Sequence, residues 1–246
     1  MIRVENLTKR FGGVVAANNI SFEVKKGEVL GIIGPNGSGK TTVVNLITGF
    51  IKPDSGRVFF AGKDITAKPP HEIASLGVVR TFQNVRPFYN LPAYKNLVIP
   101  LYSPRAKSFE EFRHGDRDHI ALDLLEEVGF ERDSPIPYKP ASALPHGYIK
   151  RLELARALAL KPEVLICDEL FSGLSQAEIA SLLPILEKLN ENGLTLIMVE
   201  HRLKELFELA DKVVVLEYGE KIAEGKPEEI VEDEKVKEAF LGAEVI

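Results

Sequence analysis

Gly34-Pro35-Asn36-Gly37-Ser38-Gly39-Lys40-Thr41 decides the reading of this chain of 246 residues. The spacing is G-x-x-x-x-G-K-T, that of a phosphate-binding loop. Upstream runs the apolar stretch Val29-Leu30-Gly31-Ile32-Ile33. Downstream comes Thr42-Val43-Val44-Asn45-Leu46-Ile47, apolar at helical spacing and closed by Gly49. Strand, glycine loop and helix are the context this motif requires. Glycines let successive backbone N–H groups turn inward around a polyphosphate, and the helix N-terminus adds partial positive charge. Lys40 can then reach the terminal phosphates, and the Thr41 hydroxyl can ligate Mg²⁺.

Bulk composition narrows the class. The chain is long enough to bury a substantial core. A formal net charge of −5 gives no basic field, so nucleic acid is not the expected partner. Apolar runs are short and interrupted, and none approaches the ~20 residues needed to cross a bilayer. Met1-Ile2-Arg3-Val4-Glu5 lacks the long apolar run of a secretion signal. The single cysteine, Cys167, sits in an apolar run, excludes an internal disulfide framework and fits a reducing compartment. The expectation is a soluble cytoplasmic protein.

Val29 to Ile33, Val164 to Cys167, Leu194 to Val199 and Val213 to Leu216 are apolar without alternation. Strands of a parallel sheet covered on both faces have this pattern. Ser21-Phe22-Glu23-Val24 and Gly56-Arg57-Val58-Phe59-Phe60 alternate instead and predict antiparallel strands, the second entered through the turn Pro53-Asp54-Ser55-Gly56. From about residue 84 to 160 the character changes. A loop-like stretch spans Ser103 to Gly115, a helical pattern runs from Ile120 to Val128, and a loop with four prolines covers Arg132 to Pro145. Helical periodicity resumes through Ile149, Leu152, Ala155 and Leu158 and stops at Lys161-Pro162. The prediction is an α/β fold: a core with a mostly parallel sheet, an N-terminal antiparallel β part and a helical insert.

A phosphate loop alone specifies only a nucleotide. Val164-Leu165-Ile166-Cys167-Asp168-Glu169 adds an apolar strand ending in two carboxylates, at the sheet edge where ligands of open α/β sheets bind. In isolation that pattern is as often a strand ending in solvated acids. Beside the loop, Asp168 is placed to hold Mg²⁺ through water, and Glu169 to orient or deprotonate attacking water. His201 follows another buried strand that ends at the same edge, whereas His71, His114 and His119 read as surface residues.

In this order of parts the chain resembles the ATP-binding subunits of ABC transporters, over essentially its whole length. The parts are Phe11, the phosphate loop, Thr81-Phe82-Gln83-Asn84, Leu144-Pro145-His146-Gly147-Tyr148 before Lys150-Arg151-Leu152-Glu153-Leu154-Ala155-Arg156-Ala157-Leu158, the Asp168-Glu169 strand, and Val199-Glu200-His201. A narrower likeness, to the subunits of branched-chain amino-acid importers, rests on Arg10-Phe11-Gly12-Gly13, Arg80-Thr81-Phe82-Gln83-Asn84-Val85-Arg86 and Phe240-Leu241-Gly242.

The resemblance implies one P-loop NTPase domain of the ABC ATPase kind over residues 1–246, with core 1–83 and 161–246 and a helical subdomain at about 84–160. It implies ATP and Mg²⁺ as ligands. Two copies, identical or related, pair head to tail around two ATP molecules. Phe11 stacks on adenine, while Gly34, Pro35, Asn36, Gly37, Ser38, Gly39, Lys40, Thr41 and Thr42 hold the phosphates. Thr41, Gln83 and Asp168 serve the metal. Glu169, His201 and Gln83 are the catalytic set, and His146 with Gly147 contacts the ATP of the partner subunit. The implied partners are integral membrane permease subunits, docked near Phe88 and Tyr89, and a substrate-binding protein. The implied location is the inner face of the cell membrane, held peripherally through the permeases.

Three positions depart from the family pattern. Leu144-Pro145-His146-Gly147-Tyr148 stands where Leu-Ser-Gly-Gly-Gln is usual, and Pro145 has neither hydroxyl nor N–H to offer a phosphate. Losing one hydrogen bond to a charged group costs roughly 1.5–3 kcal/mol, so closure weakens without failing. Leu170 replaces a proline, and Ser175 an aspartate, which puts communication between the two sites in doubt. Two alternatives stay open: an ATPase of a lipid-exporting ABC system, and a nucleotide-gated interaction module with little turnover.

Overall fold

The computed structural model describes residues 1–66, 68–82 and 86–240. A long hairpin, β1 (Ile2–Phe11) and β2 (Val14–Val24), opens the chain, followed by β3 (Val29–Ile33) and α1 (Lys40–Ile47). Next come β4 (Ser55–Phe60), β5 (Lys63–Asp64), α2 (Pro70–Leu76) and β6 (Val78–Arg80). A helical stretch separates β6 from β7 (Val164–Asp168): α3 (Lys95–Leu101), α4 (Pro104–Ser108), α5 (Glu110–His114), α6 (Arg117–Glu127) and α7 (His146–Leu158). The chain closes with α8 (Gln176–Glu191), β8 (Thr195–Val199), α9 (Leu203–Leu209), β9 (Lys212–Glu217), β10 (Glu220–Gly225), α10 (Pro227–Glu232) and α11 (Glu234–Phe240).

Two sheets result. Strands β2, β1, β4 and β5 pair antiparallel in that spatial order. The second sheet has the order β10-β9-β3-β8-β7-β6, parallel except for the β9–β10 edge pair. Apolar side chains on successive positions explain the unbroken runs in the sequence. Val164 and Ile166 pack toward α1 and the antiparallel sheet, whereas Leu165 and Cys167 pack toward the helical stretch and α8. The same division holds for Ile197 and Val199 against Leu196 and Met198. Both faces are buried, so hydrophobicity cannot alternate. Cys167 is fully buried, and burial pushes its thiol pKa well up, which makes it a packing residue.

One segment departs from the sequence reading. Ser103 to Gly115 holds two single-turn helices, α4 and α5. The Ser103 hydroxyl accepts from the Ala106 N–H, and Pro104 occupies the first helical position, a local start signal with too few residues for any periodicity to register.

Candidate functional site

The phosphate loop joins β3 to α1 at the C-terminal edge of the parallel sheet, the edge where ligands of such sheets bind. Its path demands glycine at two points. Gly34 has φ 151°, and a Cβ there would lie 2.1 Å from the Leu216 carbonyl oxygen. Gly39 has φ 103°, and a Cβ would meet the Ala16 carbonyl oxygen at 2.3 Å. Neighbouring strands pin the loop from outside. Gly219 N–H donates to Ser38 O at 3.0 Å, and Asn18 N–H donates to Gly219 O at 2.7 Å.

Lys40 is buried at the start of α1, where its Nζ donates to Gly34 O at 2.7 Å and Pro35 O at 3.0 Å. Burial lowers its pKa, and the nearby Glu169 and Asp168 carboxylates oppose that shift. The ammonium thus lies within the loop, at the first residue of α1, where the backbone amides of Lys40, Thr41 and Thr42 have no partner within their own helix. A cleft of about 510 Å³ opens here, lined by Asn36 to Thr42, by Val14, Val15 and Ala16 of β2, and by Glu169, His201 and Tyr218.

Asp168 ends β7 and Glu169 follows it with a left-handed backbone, φ 52°, uncommon for a residue with a Cβ. Such a conformation costs roughly 1–3 kcal/mol and persists only when surroundings over-determine it. Here they do. Glu169 N–H donates to Val199 O at 2.8 Å, its carbonyl accepts from Lys150 Nζ at 3.0 Å, and Phe171 N–H donates to Glu200 Oε1 at 3.0 Å. Glu200 is buried, and burial pushes its pKa up to about 8. The held backbone turns the Glu169 carboxylate into the cleft, where Oε1 lies 3.3 Å from His201 Nε2. Adjacent carboxylate and imidazole can between them orient water and move its proton.

Asp168 is engaged differently. Its Oδ2 accepts from Arg80 Nη2 at 2.5 Å in a buried ion pair, with side chains 3% and 7% exposed. Arg80, from the end of β6, also donates to Asn45 Oδ1 on α1 at 2.6 Å. This cation was legible in the sequence only as part of a family likeness.

Other expected site residues fall outside the cleft. Phe11 ends β1 and is 46% exposed; it pairs in register with Val14, which does line the cleft, and the Lys9 ammonium lies 5.7 Å from its ring. His146 and Gly147 begin α7 away from their own chain's cleft. His146 Nε2 is 3.4 Å from Ser172 O, and a Cβ on Gly147 would strike the Glu178 carboxylate. Pro145 is the N-cap residue of α7, a helix-entry position that proline tolerates. Gln83, expected at the metal and water, lies outside the described residues. Sequence reading missed Val15, Ala16 and Tyr218, which chain positions far from the loop bring to it. Tyr218-Gly219 carried a turn signal, and both residues have positive φ.

The residues fit a magnesium nucleotide. Ser38 Oγ, from the loop itself, is buried with no hydrogen-bond partner among the described residues, and Ser38 lines the cleft, so a polar atom there is left for a ligand. Thr41 and Asp168 supply hard oxygen donors of the kind Mg²⁺ takes in company with phosphates and water. When bound, the ion supplies charge stabilisation at the transferring phosphoryl group.

Sequence comparison gives the same class: residues 17–172 match the ABC transporter family, and residues 220–246 match the branched-chain amino acid ATP-binding cassette transporter family. The chain belongs to the ABC transporter family as an ATP-binding cassette, and is an ATPase. It is 36% identical, over 98% of both chains, to the high-affinity branched-chain amino acid transport ATP-binding protein BraF of Pseudomonas aeruginosa. The ADP conformation of the cassette MJ1267 superposes with a TM-score of 0.86 at 34% identity, covering 98% of each chain. The cassette MJ0796, solved as a dimer, gives a TM-score of 0.80 at 27% identity, over 92% of this chain and 99% of that one. No helix among the described residues is long and apolar enough to cross a membrane.

Proposed function

We propose that this chain is the ATP-hydrolysing subunit of an importer for branched-chain amino acids. The observation that carries the chemistry is one cleft holding the loop amides, Lys40, Thr41, Glu169 and His201 together. Full-length likeness to BraF supports the cargo class. In this reading the loop amides and Lys40 hold the β- and γ-phosphates, and Thr41 and Asp168 hold Mg²⁺. Glu169 prepares the attacking water, and His201 steadies it against the γ-phosphate. Gln83 completes the metal and water set, and Phe11 meets adenine at the mouth of the cleft beside Val14. His146 and Gly147 reach the ATP of a second ATP-binding subunit, and the dimeric MJ0796 cassette supports pairing of this kind.

The permease subunits dock on a groove of about 840 Å³ between the parallel sheet and the helical stretch, lined by Phe82, Phe88 and Ile99 among others. Tyr89 stands exposed beside Phe88. A substrate-binding protein delivers the amino acid to the permease. The subunit is thereby peripheral on the inner membrane face. In vesicles carrying the permeases, Glu169→Gln should lower ATP turnover by about 10²–10⁴-fold while retaining ATP binding, and should stop leucine uptake. Equal slow hydrolysis by wild type and variant would refute the role of Glu169. Uptake that ignores leucine, isoleucine and valine would refute the cargo.

A further inference from the structure

Arg80 ties the candidate metal site to the groove. Its guanidinium neutralises Asp168 through Nη2 at 2.5 Å and grips Asn45 through Nη1 at 2.6 Å. Asn45 lies one turn along α1 from Thr41, on the same helix face. Arg80 is therefore wedged behind the two groups expected to hold the metal. On its other side the guanidinium lies 5.0 Å from the Phe82 ring, which is 41% exposed and meets Phe50 edge-on at 5.6 Å. Thr41, Asp168, Arg80 and Phe82 all line the groove of about 840 Å³. Arg80 Nε is buried with no hydrogen-bond partner among the described residues, so one edge of the guanidinium is not held in place.

A carboxylate already neutralised by a guanidinium attracts a cation far less than a free one. Mg²⁺ arriving beside Thr41 meets an acid whose charge is spent and a like charge within a few ångströms. We propose that Arg80 is a positioning residue that competes with Mg²⁺ for Asp168, sets the metal requirement of nucleotide binding, and passes metal occupancy to the groove through Phe82. The proposal rests on the reading that Asp168 helps hold Mg²⁺. The charge attraction that holds the guanidinium 2.5 Å from the Asp168 carboxylate is attraction a metal must overcome to reach that oxygen. Displaced from Asp168, the guanidinium has the open groove beside it and the Phe82 face against which to settle.

The test measures binding of a fluorescent non-hydrolysable ATP analogue to the full chain as MgCl₂ is raised. With Arg80→Gln, which keeps a side-chain donor toward Asp168, the half-saturating Mg²⁺ concentration should fall about tenfold or more. Affinity for the analogue in EDTA should stay as in wild type. With Arg80→Lys, which keeps the charge, the Mg²⁺ requirement should stay near wild type. An unchanged or raised requirement in Arg80→Gln overturns the proposal. In Asp168→Asn the requirement should rise; if it does not, the metal reading beneath the proposal falls with it. Arg80→Gln can be too unstable to assay, because it breaks a buried pair. A second arm therefore leaves Arg80 intact. The chain has no tryptophan, so Phe82→Trp places a single reporter beside the guanidinium. Its emission should change with analogue plus Mg²⁺ and not with analogue in EDTA. No magnesium-specific change overturns the proposal.

Discussion

The phosphate cleft and the groove on the other side of Asp168 are built by opposite means. Backbone makes the cleft: glycines at φ values closed to other residues, carbonyls that seat Lys40, and a left-handed Glu169 held through its own N–H by Val199 and through its own carbonyl by Lys150. Side chains make the groove, with Phe82, Phe88 and Ile99 exposed around it. The lesson is about tolerance. A ligand as uniform as a triphosphate can be recognised by N–H groups that every residue owns, provided the chain bends correctly. A protein partner needs particular side chains, and those of the groove that lie away from Arg80 and Asp168, such as Phe88 and Ile99, are free to change without disturbing the chemistry.

The largest effect should therefore come from adding one carbon to the cleft. In Gly39→Ala the new Cβ would sit 2.3 Å from the Ala16 carbonyl oxygen, at φ 103°. Neither strain can relax without moving β2 or the loop, so the loss should exceed ~4 kcal/mol, with magnesium-dependent nucleotide binding lost. Gly37→Ala provides the contrast. Nothing lies within 4 Å of its added Cβ and only φ 80° opposes it, a cost of about 1–2 kcal/mol. Thermal melting and calorimetry with nucleotide read both. Equal behaviour of the two variants would break the claim that backbone contact, not mere glycine content, makes the cleft.

The reciprocal experiment acts on the groove. Phe88→Ala combined with Tyr89→Ala removes two exposed aromatics, one of them 5.6 Å from the Arg156 guanidinium. Buried interface aromatics are often worth about 2 kcal/mol or more each, so co-purification with the permease should fail. Affinity for ATP should not change. Retained co-purification would remove the docking surface, and lost ATP affinity would show that the two regions are not separable.

How much of this was legible follows from the same contrast. The loop and the parallel strands could be read because local sequence makes them: Val29-Leu30-Gly31-Ile32-Ile33 is a strand buried on both faces wherever it is placed, and the G-x-x-x-x-G-K-T spacing specifies its own bend. Arg80 on Asp168 could not be read, since 88 residues separate the partners. Val15, Ala16 and Tyr218 reach the cleft only through pairing of distant strands. Helices α4 and α5 escaped because one turn carries no period. Phe11 shows the limit from the other side, since its hairpin reaches the cleft through Val14 while the ring itself stands outside the lining.

A smaller effect should come from Glu200, buried between the end of β8 and His201. Burial raises the Glu200 pKa to about 8, against an unfolded value near 4.5. Between those values the folded state holds a proton that the unfolded state has released, so stability falls as pH rises. The slope from this group is about −1.4 kcal/mol per pH unit, and it vanishes above about pH 8. Glu200→Gln keeps an oxygen to accept from Phe171 N–H and cannot ionise. Denaturation curves across pH 5 to 8 should therefore be flatter for the variant, and it should be the more stable protein at pH 8. Parallel curves would mean that Glu200 stays charged beside Lys150.

The smallest effect concerns Ser175, where the family usually has aspartate. Here the serine caps α8: its Oγ accepts from Glu178 N–H at 3.3 Å, while the Glu178 carboxylate accepts from Ser175 N–H at 2.8 Å. This reciprocal capping box anchors the loop that leaves Glu169 and passes under His146. Ser175→Ala should cost about 1 kcal/mol of stability. Ser175→Asp should be nearly neutral, because aspartate caps a helix as well as serine does. If both variants hydrolyse ATP as wild type does in the assembled transporter, the position is a helix cap and nothing more. If Ser175→Asp raises turnover or its cooperativity while stability stays level, the serine is what separates the two sites. The cleft would then depend on its partner subunit through this one side chain.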